Sequence, residues 1–281
     1  SHNRQKKLAV INDFCGFGRC SIAVALPIIS AMHIQCCPLP TAIFSDHTGF
    51  ESFFCEDFTE HMPAYAGEWE KLGLHFDGIA TGFLGSARQI DIVKDFLARF
   101  KGEHTKVLVD PVMGDYGKLY PTYTPELAGR MHELLRFADL LTPNLTEACI
   151  LTNTPYREDF TEQELTVLCE SLSEAGPQEI VISGIHLGDD LGNFVYSQGE
   201  TAMLCAHRVG GYRSGTGDVF GAILAADLVN GEPLEASVRK AADFITKTIL
   251  YTQKLGVPDT DGICFEEYVW ELGQTTKEVA L

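Results

Sequence analysis

Missing from this chain of 281 residues are a GxxxxGK segment followed by Ser or Thr, an HExxH and any CxxC pair. P-loop, zincin, zinc-ribbon and thioredoxin-type sites are therefore without support. Basic residues are scarce: 21 Lys and Arg stand against 39 Asp and Glu, a formal charge of −18. That imbalance repels a phosphate backbone or an anionic lipid surface, so no nucleic acid and no membrane is expected as partner. Long apolar runs are also lacking. The longest, from Ile22 to Met32, contains Pro27 and falls well short of the roughly 18 residues of a membrane span. Leu8 to Ile11 is too short for a signal-peptide core, and the expected compartment is cytoplasmic. The nine cysteines are odd in number and scattered, which predicts reduced thiols, several of them small core residues. With 45% hydrophobic and 21% charged residues, the composition suits a soluble globular protein that handles small molecules.

What is present alternates. Short β-branched runs at 8–12, 34–43, 76–81, 106–110, 138–141 and 179–183 predict strands. Amphipathic stretches at 21–33, 59–72 and 87–100 predict helices. Thr161 with Glu164 reads as a capping box, and Gly176-Pro177 as the stop of that helix. Residues 192–198 and 201–207 predict a hairpin with Gly199-Glu200 at its turn, and 217–254 is almost entirely helical in pattern. Strand–helix alternation calls for an α/β fold, a mostly parallel sheet covered by helices on both faces. Ligands in such sheets sit beyond the carboxyl ends of the strands. No linker or repeat divides the chain, so 1–281 is read as one domain, with 45–58 as a flap over the sheet edge.

The strand-end loops carry the chemistry. In Gly215-Thr216-Gly217-Asp218, glycines flank Thr216 just before a helix of small residues. N–H groups at a helix start attract an anion, and glycines let it approach the backbone. Asp218 beside that anion makes sense as a base taking the proton of a hydroxyl that attacks phosphorus. The alternative is a simple helix cap, since Thr and Asp cap well. Gly16 and Gly18 follow the first strand without the third glycine of a dinucleotide site, which leaves a substrate loop or a tight turn, with Asn12 and Asp13 at the strand end. Asp110 ends a strand, and Asn144 and Glu147 share one helical face at i and i+3. Carboxylates so placed suit a hydrated Mg²⁺, while a cap (Asn144) and a solvated first-turn acid (Glu147) are the plainer alternatives.

Taken together, these segments resemble the pyridoxal/pyridoxamine kinases of the ribokinase superfamily. Phe44-Ser-Asp-His-Thr-Gly49, Thr81-Gly-Phe-Leu-Gly-Ser86, Asp110-Pro-Val-Met-Gly-Asp115, Gly117-Lys-Leu-Tyr120, Thr142-Pro-Asn-Leu-Thr-Glu147 and Gly215-Thr-Gly-Asp218 match that family's blocks in order. The resemblance implies a ribokinase-like three-layer sandwich, usually a homodimer, that uses ATP and Mg²⁺ to phosphorylate the 5′-hydroxymethyl group of a B6 vitamer. It leaves a monovalent-cation requirement open. By position it makes Asp218 the base and Gly215, Thr216 and Gly217 the anion hole. Asn12, Asp13, Thr48 and Tyr120 fall on the vitamer side. Asp110, Asn144, Glu147 and Ser183 fall on the nucleotide side, with Asp110 and Glu147 holding the metal through water. Asn12-Asp13, Asp46 and Ser183 depart from common family residues and bear on vitamer preference more than on reaction type. Relatives that phosphorylate hydroxymethylpyrimidine share much of the site, although some carry Cys where this chain has Asp218. A non-catalytic vitamer- or nucleotide-binding protein is the rival of another class.

Overall fold

The computed structural model describes residues 1–211 and 213–274. In chain order its elements are β1 (Lys7–Phe17), α1 (Ser21–Ala31), β2 (Gln35–Asp46), β3 (Cys55–Asp57), α2 (Met62–Lys71), β4 (Gly78–Thr81) and α3 (Ala87–Phe100). Then come β5 (Lys106–Val109), β6 (Gly114–Asp115), β7 (Lys118–Leu119), α4 (Pro125–Arg130), β8 (Leu140–Leu141), α5 (Leu145–Leu151) and α6 (Glu162–Glu174). The chain continues through β9 (Glu179–Leu187), β10 (Asp190–Ser197), β11 (Glu200–His207), α7 (Thr216–Asn230) and α8 (Leu234–Leu255). A nine-stranded sheet has the order β11-β10-β9-β8-β5-β4-β1-β2-β3. From β2 to β9 its pairings are parallel, and antiparallel strands close both edges.

Successive strand residues point to opposite faces, and the central strands supply both cores this way. Ala9, Ile11, Ile79, Val107 and Val109 pack with α2 to α6, whereas Leu8, Val10, Ala80 and Leu108 pack with α1, α7 and α8. The expected ribokinase-like sandwich of helix, sheet and helix layers is what forms. α7 is buried nearly all round, from Val219 to Asp227, as befits a helix enclosed by other elements. Its buried Asp227 is paired with Lys240 of α8 at 2.8 and 3.0 Å.

Several boundaries differ from the sequence reading. β1 and β2 run on to Phe17 and Asp46 because they keep pairing past a bulge between Asn12 and Phe14. α2 starts at Met62 rather than near 59: Asp57 accepts the Thr59 N–H at 2.8 Å, a turn that competes with helix. The hairpin turn is Gln198-Gly199, one residue earlier than Gly199-Glu200, with φ of 51 and 94 as a two-residue turn requires. Among the described residues no helix is long and apolar enough to cross a membrane.

Candidate active site

α7 begins at a glycine whose surroundings allow no side chain. Gly215 is its N-terminal cap residue, with φ 82, and a Cβ there would lie 1.9 Å from the Arg19 carbonyl oxygen. Gly217 differs: among the described residues a Cβ would meet no atom within 4 Å, so packing does not demand a glycine. Its free side is where a ligand can approach the first-turn N–H groups, which an α-helix leaves without internal partners. Among the described residues no side chain caps this helix, whose cap position is Gly215 itself. The capping reading of Thr216 and Asp218 therefore fails; Thr216 Oγ1 instead donates to Arg213 O at 3.4 Å.

Asp218 reaches across to α1 and β1. Burial pushes its carboxyl up to about 6, opposed by hydrogen bonds from the Ser21 backbone N–H and the Asn12 side chain. Ser21 holds φ 54, an uncommon value for a residue with a side chain. Asn12 Oδ1 accepts the N–H of Asp13 at 2.9 Å and of Phe83 at 2.8 Å. A Cβ on Gly82 would lie 2.5 Å from the Asn12 amide, so the TGFLGS turn needs its first glycine to admit Asn12. Asp13 is buried and accepts the Cys15 thiol at 3.2 Å; burial raises its carboxyl as well, and its charge adds to the rise at Asp218.

Asp110 sits at the end of β5 on the same side of the sheet. Burial raises its carboxyl well above the ordinary range, and the Glu147 and Asp218 charges raise it further. Glu147 is only 4% exposed, which removes the solvated-acid alternative. Its Oε1 accepts the Met113 N–H at 3.0 Å and its Oε2 the Asn144 N–H at 2.9 Å. Asn144 Oδ1 returns a capping bond to the Glu147 N–H at 2.9 Å, and Asn144 Nδ2 donates to Gly114 O at 2.8 Å. Asn144 and Glu147 thus clamp the 110–115 segment onto α5. Burial raises the Glu147 carboxyl too. Oxygen donors and mutually repelling carboxylates fit a hard divalent cation. Among the described residues no set of three or more His, Cys, Asp or Glu side chains is placed to hold a metal ion. Ser183 lies beside this cluster, bridged to Asn144 and donating its N–H to Pro143 O at 3.0 Å.

A cavity of about 30 Å³ is lined by Asn12, Ser21, Asp110 and Asp218 together with Ala25 and Ala222. A wider hollow of about 320 Å³ between α8 and the Val269–Gly273 turn contains none of these groups. Thr48 and Tyr120 lie farther out. Thr48 is exposed in the loop between β2 and β3, which pair antiparallel, so that 45–58 is a hairpin rather than a free loop. Tyr120, 38% exposed, follows the small hairpin of β6 and β7 and donates its N–H to Met113 O at 2.9 Å. Gly18 has φ 107, and a Cβ there would lie 2.4 Å from the His47 ring, so this glycine after β1 serves a turn packed under the flap. The sequence reading missed Ser21, which acts through its backbone N–H and has no residue-type signal. It also missed His47 and Arg213, although His47 lies inside the 44–49 block and Arg213 stands two residues before Gly215.

Comparison with known proteins gives consistent relatives. Residues 71–261 match the family model described as phosphomethylpyrimidine kinase. A hydroxymethylpyrimidine/phosphomethylpyrimidine kinase from Haemophilus influenzae is 33% identical over 62% of this chain, and a pyridoxal kinase from Arabidopsis thaliana is 29% identical over 66%. These matches span 65% and 62% of the two relatives' own lengths. A candidate phosphomethylpyrimidine kinase from Bacteroides thetaiotaomicron superposes with TM-score 0.95 at 35% identity, over 99% of this chain and 97% of that one. A second crystal form of that protein contains pyridoxal. Pyridoxal kinase from Lactobacillus plantarum superposes with TM-score 0.88 at 27% identity, over 96% of each chain.

Proposed function

Because the chain belongs to the phosphomethylpyrimidine kinase family, we propose that it transfers the γ-phosphate of ATP to the 5′-hydroxymethyl group of a B6 vitamer. The observation that carries this reading is Asp218, a half-buried carboxyl held near pKa 6, one residue past the open side of Gly217. A base of that strength is largely ionised at neutral pH yet has raised proton affinity, as proton abstraction requires. Asn12 and the Ser21 N–H orient it. The first-turn N–H groups at Gly215, Thr216 and Gly217 face the position of the transferring phosphoryl group, where preorganised donors are most effective. Asp110 and Glu147 would hold Mg²⁺ through its waters, and the ion would supply neutralisation of charge on the triphosphate. Asn144 and Ser183 complete the nucleotide side. Asn12, Asp13, Thr48 and Tyr120 border the vitamer.

Pyridoxal over a hydroxymethylpyrimidine is favoured by the pyridoxal-bound form of the Bacteroides protein, 35% identical over 98% of both chains. The pyrimidine reading draws on the Haemophilus relative. ATP consumption measured separately with pyridoxal, pyridoxine, pyridoxamine and hydroxymethylpyrimidine decides between them. Turnover confined to the pyrimidine overturns the vitamer assignment, and no turnover with any of the four overturns the kinase reading. The hairpin of 45–58 exposes Phe53 and Phe54, and we assign it as the cover over the vitamer. Pyridoxal should slow hydrogen exchange there; unchanged exchange with saturating pyridoxal refutes the cover.

A further inference from the structure

The loop between α8 and the Val269–Gly273 turn has an unusual use for its carbonyl groups. Between Val257 and Gly262 they accept hydrogen bonds from side chains of different site loops. Arg213, from the segment leading to Gly215, donates to Val257 O and Pro258 O, both at 3.3 Å, and pairs with Asp259 at 3.2 Å. Arg19, from the loop after β1, donates to Asp261 O at 2.9 Å. His47, from the flap, bonds Thr260 O at 2.7 Å. A carbonyl only accepts, so His47 Nε2 carries the proton, while Nδ1 accepts the Gly49 N–H at 3.1 Å. The two ring nitrogens therefore act separately. Nδ1 closes the flap's local turn, and Nε2 ties the flap to the loop.

The backbones interlock as well. A Cβ on Gly262 would lie 2.7 Å from Gly18 O, and one on Gly215 would strike Arg19 O. The His47 ring also packs against Phe50, with centroids 4.7 Å apart. Flap, β1 loop and anion loop thus share one support, and the hydrogen bonds of the His47 ring go to Thr260 and Gly49 rather than to Asp218. Nothing in local turn formation requires the bond from Nε2.

We propose that His47 is a positioning residue that latches the flap to the Val257–Gly262 loop, so that covering the substrate and ordering the anion hole are one coupled event. This inference rests on the kinase reading and gives the site a means of restraining ATP hydrolysis when no hydroxymethyl substrate is present. An open phosphoryl-transfer site admits water as the nucleophile.

The two ring nitrogens can be tested apart. In His47→Gln the amide can reach Thr260 O but not the Gly49 N–H; in His47→Asn the carbonyl can accept from Gly49 but the donor falls short of Thr260. Phe keeps the ring and loses both bonds. The ratio of vitamer-independent ATP hydrolysis to vitamer phosphorylation should rise on the order of tenfold in His47→Asn and His47→Phe, with a raised vitamer KM, and return towards wild type in His47→Gln. A purely local role predicts the reverse order, with Asn normal and Gln impaired. That order, or an unchanged ratio in all three, overturns the latch. Hydrogen exchange without substrate separates this from the kinase reading. The 213–217 segment should exchange faster in His47→Asn than in wild type whatever the enzyme phosphorylates, and equal rates overturn the coupling. A wild-type enzyme that phosphorylates none of the four substrates refutes the kinase reading instead.

Discussion

Asp218, the proposed base, shows how one residue can oppose the fold's stability near neutral pH. Its carboxyl is raised from 3.8 to about 6 by burial. A raised carboxyl favours the folded state below the unfolded value and loses that contribution as pH rises through about 6. Asp218→Asn should therefore raise stability at pH 8, by on the order of 1–3 kcal/mol, seen as a higher denaturation midpoint. The same variant should lose about 10²–10⁴-fold in kcat, with vitamer KM little changed. In wild type kcat/KM should fall as pH drops through about 6, and the residual rate of the Asn variant should lack that limb. Normal kcat in a folded Asp218→Asn protein would exclude the base assignment. Glu147 is a different kind of acid, since both its oxygens accept backbone N–H groups. Glu147→Gln sets an amide NH₂ against one of those donors, an unmet bond worth about 1–3 kcal/mol. The expected result is a higher KM for Mg²⁺–ATP and faster exchange at Met113, with vitamer affinity retained. Wild-type Mg²⁺ and ATP dependence would leave Glu147 as a clamp alone.

At the scale of elements, the start of α7 separates two glycines that look alike in sequence. Gly215 needs its left-handed φ of 82 and has the Arg19 carbonyl in the place of a side chain. Gly215→Ala should leave little folded protein, as judged by circular dichroism. Gly217 has neither constraint, and alanine suits a helix better by up to ~1 kcal/mol. Gly217→Ala should thus melt at or above the wild-type temperature. Its methyl group would stand where the phosphoryl group is proposed to approach, so kcat should fall by on the order of 10–100-fold. Full activity in Gly217→Ala would mean that the anion does not sit against this turn.

For the whole molecule, the placement of Asp218 depends on α7 being held between sheet and helices. Asp227 is 2% exposed and its partner Lys240 lies on α8, with a side chain 31% exposed. Lys240→Met should lower stability by ~2–4 kcal/mol, because it strands a buried charge. Water at the partly exposed Lys240 position keeps the loss below that of a fully enclosed pair. Adding Asp227→Leu should recover much of it, since an apolar pair often replaces a buried ion pair without loss. Urea unfolding of the single and double variants measures both. No recovery in the double variant would show that the pair stabilises the contact beyond cancelling its own charges.

The alternation of β-branched runs and amphipathic stretches was enough to establish the layered sheet, because burial on both faces of a parallel sheet imposes that pattern locally. Loops carrying Asp110, Asn144, Glu147 and Asp218 were legible for a related reason: strand ends and helix starts are marked by glycine, proline and capping residues within a few positions. Other features had no local mark. The bulge that presents Asn12 arises from how β1 pairs with β2, and the 114–119 hairpin from how its segment meets α5. Asp218 as a cross-chain acceptor of the Ser21 N–H, and Thr260 as the acceptor of His47, rest on backbone groups that every residue possesses. Local sequence could determine where strands end and helices start, since periodicity and turn residues act over a few residues. Which backbone groups those ends meet was decided by tertiary structure, because the contacts of Gly215 with Arg19 and of Gly262 with Gly18 exist only once distant segments have packed.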